Sequence, residues 1–454
     1  MPFQSINPAT EELIAEFPFI TDAELYIKLD KAHEAFQAWR KTSFADRGAL
    51  MNKAADILLQ NKAEYGRTIT LEMGKSVSET IAEVEKSAQC CKYYATEAEG
   101  FLAPKTYKTD YSFSEAHFEP LGIVYAVMPW NFPLWQVYRC AAPAIMAGNT
   151  VVLKHAQNVP QSALIIESAF KEAGFPEGVF TNLFIDHDQS DKVIEYAGVA
   201  GVSLTGSERA GGHVASLAGK NIKPVVLELG GSDPFIILAD ADLDKAANIG
   251  CLSRMKNNGQ SCIAAKRFIV VKDVADAFIA KFVAEVQKLK IGDPLVEGTT
   301  MGPLARKDLV DTLTEQVDKT IALGARALIG GKRVAGKGYY FEPTVLIDIT
   351  KDSPAYSQEM FGPVASVFVV ADVNEAIALA NDTNFGLGAA LWTADTKKAL
   401  ELSKDIQSGS VYINTFVKSD QRIPFGGTKR SGTGRELSDI GIKEFVNIKT
   451  VVIA

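Results

Sequence analysis

Between residues 121 and 230, apolar runs of strand length alternate with segments whose apolar residues recur at helical spacing. The runs are Gly122–Val127, Val151–Leu153, Val179–Phe184, Gly201–Leu204 and Val225–Leu229. Helical patterns between them cover Pro143–Ala147, Gln161–Ala173, Asp188–Tyr196 and Ala210–Ala218. Strands that are apolar along their whole length are covered on both faces, and a helix in each connection returns the chain to the same end of the sheet. The pattern predicts a parallel, doubly wound sheet. A second alternating block runs from 234 to about 424, with strand runs at Pro234–Leu238, Arg267–Val271, Thr344–Ile347, Ala365–Val370 and Ser410–Asn414. The expected fold class is α/β, with two domains on two such sheets. A chain of 454 residues needs that division, because single cores stop growing beyond about 250–300 residues.

Residues 23 to 100 read as helices, on the spacing of Ala32, Phe36 and Trp39 and of Ile57, Leu58 and Tyr65. Cys90 and Cys91 fall in this stretch and read as packing residues. The end of the chain, Ile448–Ala454, is an apolar strand that would invite aggregation if bare, so a partner subunit is its expected cover. Net charge −8 and pI near 5.4 argue against a nucleic-acid partner. No apolar run is long enough to span a membrane, and the start of the chain lacks the pattern of a signal peptide. The five cysteines show no CxxC spacing and cannot all pair, which points to reduced thiols in the cytoplasm. Five histidines without a cluster point to no metal site.

Three segments carry chemistry. Asn257-Asn258-Gly259-Gln260-Ser261-Cys262 sets a cysteine behind a glycine turn, and Glu228 closes an apolar run 34 residues earlier. A thiol needs a base or a depressed pKa to attack an electrophile, and this pair supplies one if the fold joins them. A lone cysteine, however, is more often a small core residue. Asn131, in Val127–Pro133, follows a strand and offers an amide to a developing oxyanion. Thr205-Gly206-Ser207 opens a helix where backbone amides favour a phosphate, although no GxGxxG fingerprint is present. Arg139 lies within Val137–Ala142, an apolar stretch where a charge needs a reason.

In chain order stand PWNFP at 129–133, LKHAQ at 153–157, TGS at 205–207, LELGG at 227–231, GQSC at 259–262, EMFGPV at 359–364 and PFGG at 424–427. With these motifs the chain resembles the aldehyde dehydrogenase superfamily along nearly its whole length. The resemblance implies a dinucleotide-binding domain from 1–103 and 121–230, a catalytic domain at 231–424, and a small β flap for oligomerisation from 104–120 and 435–454. A homodimer or homotetramer is expected. It further implies Cys262 as the nucleophile toward a small-molecule aldehyde, passing through a thiohemiacetal and a thioester. Asn131 and the Cys262 N–H would hold the oxyanion, and Glu228 would activate water. Relatives that acylate coenzyme A generally lack that Glu.

For the cofactor the resemblance points to Trp130, Lys154, Gln157, Gly206, Ser207, Glu359 and Phe361. NAD-preferring relatives often carry Glu at the position of Gln157. A neutral side chain there does not repel a 2′-phosphate, so NADP is the expected cofactor, with NAD as the alternative. Within the superfamily, succinate-semialdehyde dehydrogenases place an Arg at the position of Arg139 and a Ser at that of Ser419, both toward the substrate carboxylate. Lys256 replaces a second Arg found in some of them, and Ala264 stands where some carry a redox-active Cys. Trp135 and Phe425 would wall a narrow tunnel. Oxidation of succinic semialdehyde is the expectation. The alternatives are a broad-specificity short-chain aldehyde dehydrogenase and a non-catalytic protein on the same fold.

Overall fold

The computed structural model describes residues 2–454. Its first large sheet has six strands in the spatial order Gly432–Thr433, Val225–Glu228, Val199–Thr205, Ile123–Met128, Thr150–His155 and Phe180–Asn182. The second has seven, in the order Arg326–Ile329, Thr344–Ile347, Val364–Val370, Ala265–Val271, Asp233–Ile237, Ala389–Trp392 and Val411–Ile413. Helices cover both faces of each, and separate apolar clusters fill the layers on either side.

The expectation of parallel sheets needs one correction at an edge of each. Gly432–Thr433 runs antiparallel to Val225–Glu228, and Arg326–Ile329 runs antiparallel to Thr344–Ile347. An antiparallel edge strand needs no crossover helix, so a loop suffices to add it. One of these loops, between Ile329 and Thr344, turns through Gly330, Gly331, Gly336 and Gly338, all at positive φ. The sequence pattern also missed a hairpin of Phe3–Asn7 with Glu12–Phe17, and the strand Ala389–Trp392. Two of its four residues are alanines, which are depleted in strands, and pairing on both sides imposes the conformation.

A third, three-stranded sheet pairs Val446–Ile453 with Phe113–Pro120, and that strand in turn with Lys105–Thr106. Val446–Ile453 lies at its edge with Ile448 60% and Ile453 57% exposed. No helix among the described residues is long and apolar enough to cross a membrane.

The order of the six-stranded sheet places the ligand crevice. From Ile123–Met128 the chain adds strands first on one side, as Thr150–His155 and Phe180–Asn182, then on the other, as Val199–Thr205 and Val225–Glu228. Connections therefore diverge at the carboxyl end of Ile123–Met128, where α/β sheets hold ligands. The segments 129–133 and 205–207 leave the sheet there.

Candidate active site

The cysteine turn is held in an unusual backbone conformation. Asn257, Asn258 and Gly259 all have positive φ, at 58°, 55° and 73°. For non-glycine residues that region costs of order 1–3 kcal/mol each and survives only where surroundings over-determine it. Here both amides do so. Asn257 Nδ2 donates to the carbonyls of Asn131 (2.9 Å) and Gln260 (2.8 Å). Asn258 Nδ2 donates to Gly74 O (3.1 Å) and Pro303 O (2.8 Å), while its Oδ1 accepts from Gly302 N (2.8 Å). Gly259 is required for a second reason, since a Cβ would collide with the Gly362 carbonyl. Buried Arg254 ties the same two segments, donating to Gly259 O (2.7 Å) and Met360 O (3.1 Å).

This turn delivers Cys262 to a cavity, open to solvent, lined also by Lys86, Phe132, Trp135, Arg139, Lys256, Ser419 and Phe425. The other four cysteines are buried, and Cys262 is the one partly exposed. Burial pushes its thiol up to about 12, against the opposing pull of Lys266 and Arg139, so the resting side chain is a thiol. Lys266 Nζ donates to the carbonyls of Ser261 (2.7 Å) and Cys262 (2.6 Å) and pairs with Glu359 (3.1 Å). The Cys262 backbone N–H has no protein acceptor among the described residues. Asn131 Nδ2 gives one hydrogen to Gln260 O (3.1 Å), which leaves a second for an oxyanion.

Glu228 is buried, and neither carboxyl oxygen has a hydrogen-bond partner. Burial first, then the Glu436 carboxylate, raises it to about 8. A carboxyl in that range exchanges protons near neutrality, as a general base must. Gly231, in the same motif, lies so close to the cysteine turn that a Cβ would come within 2.6 Å of Cys262 O. The Glu228 and Cys262 motifs, 34 residues apart in sequence, are thus in contact.

A buried ion pair of Lys75 and Glu83 sets the segment that carries Asn131 and Trp135. Glu83 Oε1 accepts from Leu134 N (2.8 Å) and Trp135 N (3.0 Å) at the start of the helix Trp135–Met146. Its Oε2 pairs with Lys75, whose Nζ also reaches Asn131 O (3.4 Å).

The candidate substrate residues divide into those already engaged and those still free. Arg139 is buried, pairs through Nε with Glu436, donates from Nη2 to Thr205 Oγ1 (3.2 Å) and lies 4.9 Å from the Phe425 ring centroid. The carboxylate partner that its apolar surroundings demand is therefore Glu436, a residue the motifs did not single out. Lys256 stands exposed at the cavity rim, and Phe425 forms a wall. Trp135 Nε1 donates to Ser419 Oγ (2.9 Å). Lys86, absent from the sequence expectations, donates to the same oxygen (2.8 Å) from 3.8 Å above the Trp135 ring. Its signal was available: Glu83, Lys86 and Cys90 share one face of the helix Val77–Phe101, and that face is turned inward.

None of the candidate cofactor residues lines that cavity. Lys154 ends its strand buried, with no hydrogen-bond or ion-pair partner for its ammonium among the described residues, and burial lowers it to about 8. Gln157 is half-buried and accepts Gln4 N at its backbone oxygen (3.0 Å). Ser207 caps the helix Glu208–Lys220, accepting Ala210 N at 3.3 Å, and Gly206 N bonds Glu228 O at 3.0 Å. Trp130 and Phe361 meet edge to face at 5.8 Å. Glu359 Oε1 accepts Gly231 N (3.2 Å), which joins a third motif to the other two.

The aldehyde dehydrogenase family model matches residues 1–451. The chain belongs to the aldehyde dehydrogenase family. Over 454 residues it is 51% identical to a probable succinate-semialdehyde dehydrogenase (NADP(+)) of Synechocystis sp., with 100% of both chains covered. Over 457 residues it is 48% identical to the succinate-semialdehyde dehydrogenase (NADP(+)) of Mycolicibacterium paratuberculosis, with 100% of this chain and 97% of the relative covered. The crystal structure of succinic semialdehyde dehydrogenase from Streptococcus pyogenes in complex with NADP+ superposes with a TM-score of 0.97, at 39% identity and 99% coverage of each chain. For an aldehyde dehydrogenase, an accessible cysteine beside unpartnered donors and a buried carboxyl is an arrangement suited to addition, oxidation and hydrolysis at one carbon.

Proposed function

We propose that this aldehyde dehydrogenase oxidises succinic semialdehyde to succinate with NADP. The observation that carries the reading is the charge of the cavity over Cys262. Its lining carboxylates are engaged, Glu79 with Asn257 N (2.9 Å) and Glu83 with Lys75. Lys86 and Lys256 have no ion-pair partner among the described residues. A short aldehyde with an anion at its far end suits such a space. The names of the relatives in Synechocystis sp. and Mycolicibacterium paratuberculosis agree with it.

Cys262 Sγ adds to the aldehyde carbon while its proton passes to Glu228, and the resulting oxyanion is held by Asn131 Nδ2 and the Cys262 N–H. A bound nicotinamide supplies the acceptor for the hydride that leaves this carbon. The thioester on Cys262 then takes up water, whose proton goes to Glu228 once the first has been released to solvent. The C–S bond breaks and the acid departs, so aldehyde, NADP+ and water become acid, NADPH and a proton.

Lys154 supports the cofactor assignment, because a largely buried lysine whose ammonium has no protein partner among the described residues is suited to a ligand. A neutral Gln157 admits a 2′-phosphate of roughly −1.5 to −2 charge, which a carboxylate would repel. Ser207 and Gly206 would receive the pyrophosphate at a helix N-terminus, Trp130 would lie against it, and Glu359 and Phe361 would meet the nicotinamide ribose. On this reading the six-stranded sheet serves the cofactor, through 1–103 and 121–230, and the seven-stranded sheet serves catalysis, through 231–424. The sheet of 104–120 and 435–454 covers a second copy of the chain along its exposed edge, and the free thiols suit a cytoplasmic setting.

The test compares kcat/KM for succinic semialdehyde and butanal, both with NADP. They share a four-carbon chain and differ in the terminal carboxylate. A charge-assisted contact of roughly 1.5–3 kcal/mol predicts a preference of about 10- to 150-fold. A ratio near one would reduce the substrate to a general short aldehyde.

A further inference from the structure

We propose that Lys266 is a positioning residue for Cys262: it fixes the peptide that carries the Cys262 N–H and supplies positive charge that favours the thiolate. The inference rests on the reading of Cys262 as the nucleophile.

Lys266 lies in the strand Ala265–Val271, four residues past Cys262, and its side chain is buried. An ammonium has three hydrogens. All three find acceptors, at Ser261 O (2.7 Å), Cys262 O (2.6 Å) and Glu359 Oε1 (3.1 Å). The bond to Ser261 O bears on the chemistry most directly. Ser261 O and the Cys262 N–H belong to one peptide unit, and that unit is planar, so fixing the carbonyl fixes the direction of the N–H. A cation on the carbonyl also polarises the amide and makes its N–H a stronger donor to an oxyanion. The N–H is free to act, since it has no protein acceptor among the described residues.

Holding two carbonyls needs no charge. A neutral amide would serve, without the desolvation that a buried ammonium carries. The counter-charge to Lys266 is moreover incomplete. Glu359 is partly exposed, and the oxygen that meets Lys266 also accepts Gly231 N (3.2 Å). Asp233 faces Lys266 from the neighbouring strand, but burial raises it to about 7, so it is only partly ionised near neutrality. The charges that face Cys262 come from four elements. Burial raises the thiol most. Lys266 opposes it most strongly, ahead of Arg139 on the helix Trp135–Met146, whereas Glu359 and Glu228 add to it. Arg139 is also paired with Glu436, which leaves Lys266 as the principal cation acting on the sulfur. Lys266 and Glu359 therefore act on the thiol with opposite sign.

The test is the rate at which iodoacetamide, a neutral reagent, alkylates Cys262 in the cofactor-free enzyme from about pH 7 to 9, with the labelled residue identified by mass spectrometry. Cys262 is the one cysteine that is partly exposed, and the rate reports its thiolate. Lys266→Met keeps the apolar stem and removes the charge. Alkylation is expected to slow roughly tenfold at each pH, and kcat to fall with it. Glu359→Gln removes the opposing charge, and alkylation is expected to quicken by roughly the same factor. A wild-type rate in Lys266→Met would overturn the proposal. So would a shift of both variants in the same direction, the mark of a turn that has merely loosened. Should Lys266→Met fail to fold, Glu359→Gln decides alone, and an unchanged or slower rate there overturns the proposal. Alkylation of Cys262 that leaves turnover intact would overturn the reading of Cys262 as the nucleophile, and the role of Lys266 with it.

Discussion

Replacing Glu83 by Gln changes one charge at the hinge of the site. In Glu83→Gln the side-chain amide oxygen can still accept from Leu134 N and Trp135 N, so the start of the helix Trp135–Met146 keeps its cap. The loss is the charge opposite Lys75. Both side chains of that pair are buried, at 1% and 2% exposure, so Lys75 becomes a cation without a counter-charge. Its remaining neighbours are the Asn131 carbonyl at 3.4 Å and the Phe132 ring at 4.3 Å, both weak substitutes for a carboxylate. Breaking a buried pair from one side costs about 3–5 kcal/mol. Equilibrium urea unfolding measures this, followed by tryptophan fluorescence, since two of the four tryptophans, Trp130 and Trp135, flank the affected segment. The double variant Lys75→Met with Glu83→Gln should regain part of the loss, because it leaves no unpaired charge. Turnover should fall alongside, because Lys75 holds the backbone of Asn131. A cost below about 1 kcal/mol for Glu83→Gln alone, the worth of a surface pair, would refute the reasoning.

Glu228 stands near 8 through burial and the Glu436 carboxylate. Its basic form grows as pH rises through that value, so kcat should climb about tenfold per pH unit below it and level off above. In Glu228→Gln that limb disappears and turnover drops; a pH–rate profile matching the wild type would exclude Glu228 as the base. Gln157→Glu should move cofactor preference toward NAD, read as the ratio of kcat/KM for the two cofactors. An unchanged ratio would mean that the 2′-phosphate is bound elsewhere.

Much of this architecture is legible in the linear chain. Strands such as Ile123–Met128 and Phe235–Ile237 are buried on both faces, and a continuous apolar run is their direct signature. Ala389–Trp392 was not legible, because its conformation comes from strand partners brought in from distant parts of the chain rather than from local preference. Gly259 announced a turn, but the left-handed backbone at Asn257 and Asn258 is imposed by Gly74, Asn131, Gly302 and Pro303, which arrive from distant segments.

The charged residues show the same division most sharply. Cys262, Glu228 and Asn131 stand out in the sequence through the ordered motifs that carry the family resemblance. The sequence also identifies Arg139 as a charge in apolar surroundings that must have a partner. That the partner is Glu436, far along the chain, is decided by tertiary packing. Helical spacing puts Lys86 on one face with Glu83 and Cys90 but does not supply its partners. Folding turns it over the Trp135 ring and onto Ser419, 333 residues away. Local preferences act over a turn or a strand and leave their mark in short stretches of sequence. Charge pairing and hydrogen-bond satisfaction act through space, so they are settled only when the chain has closed around them.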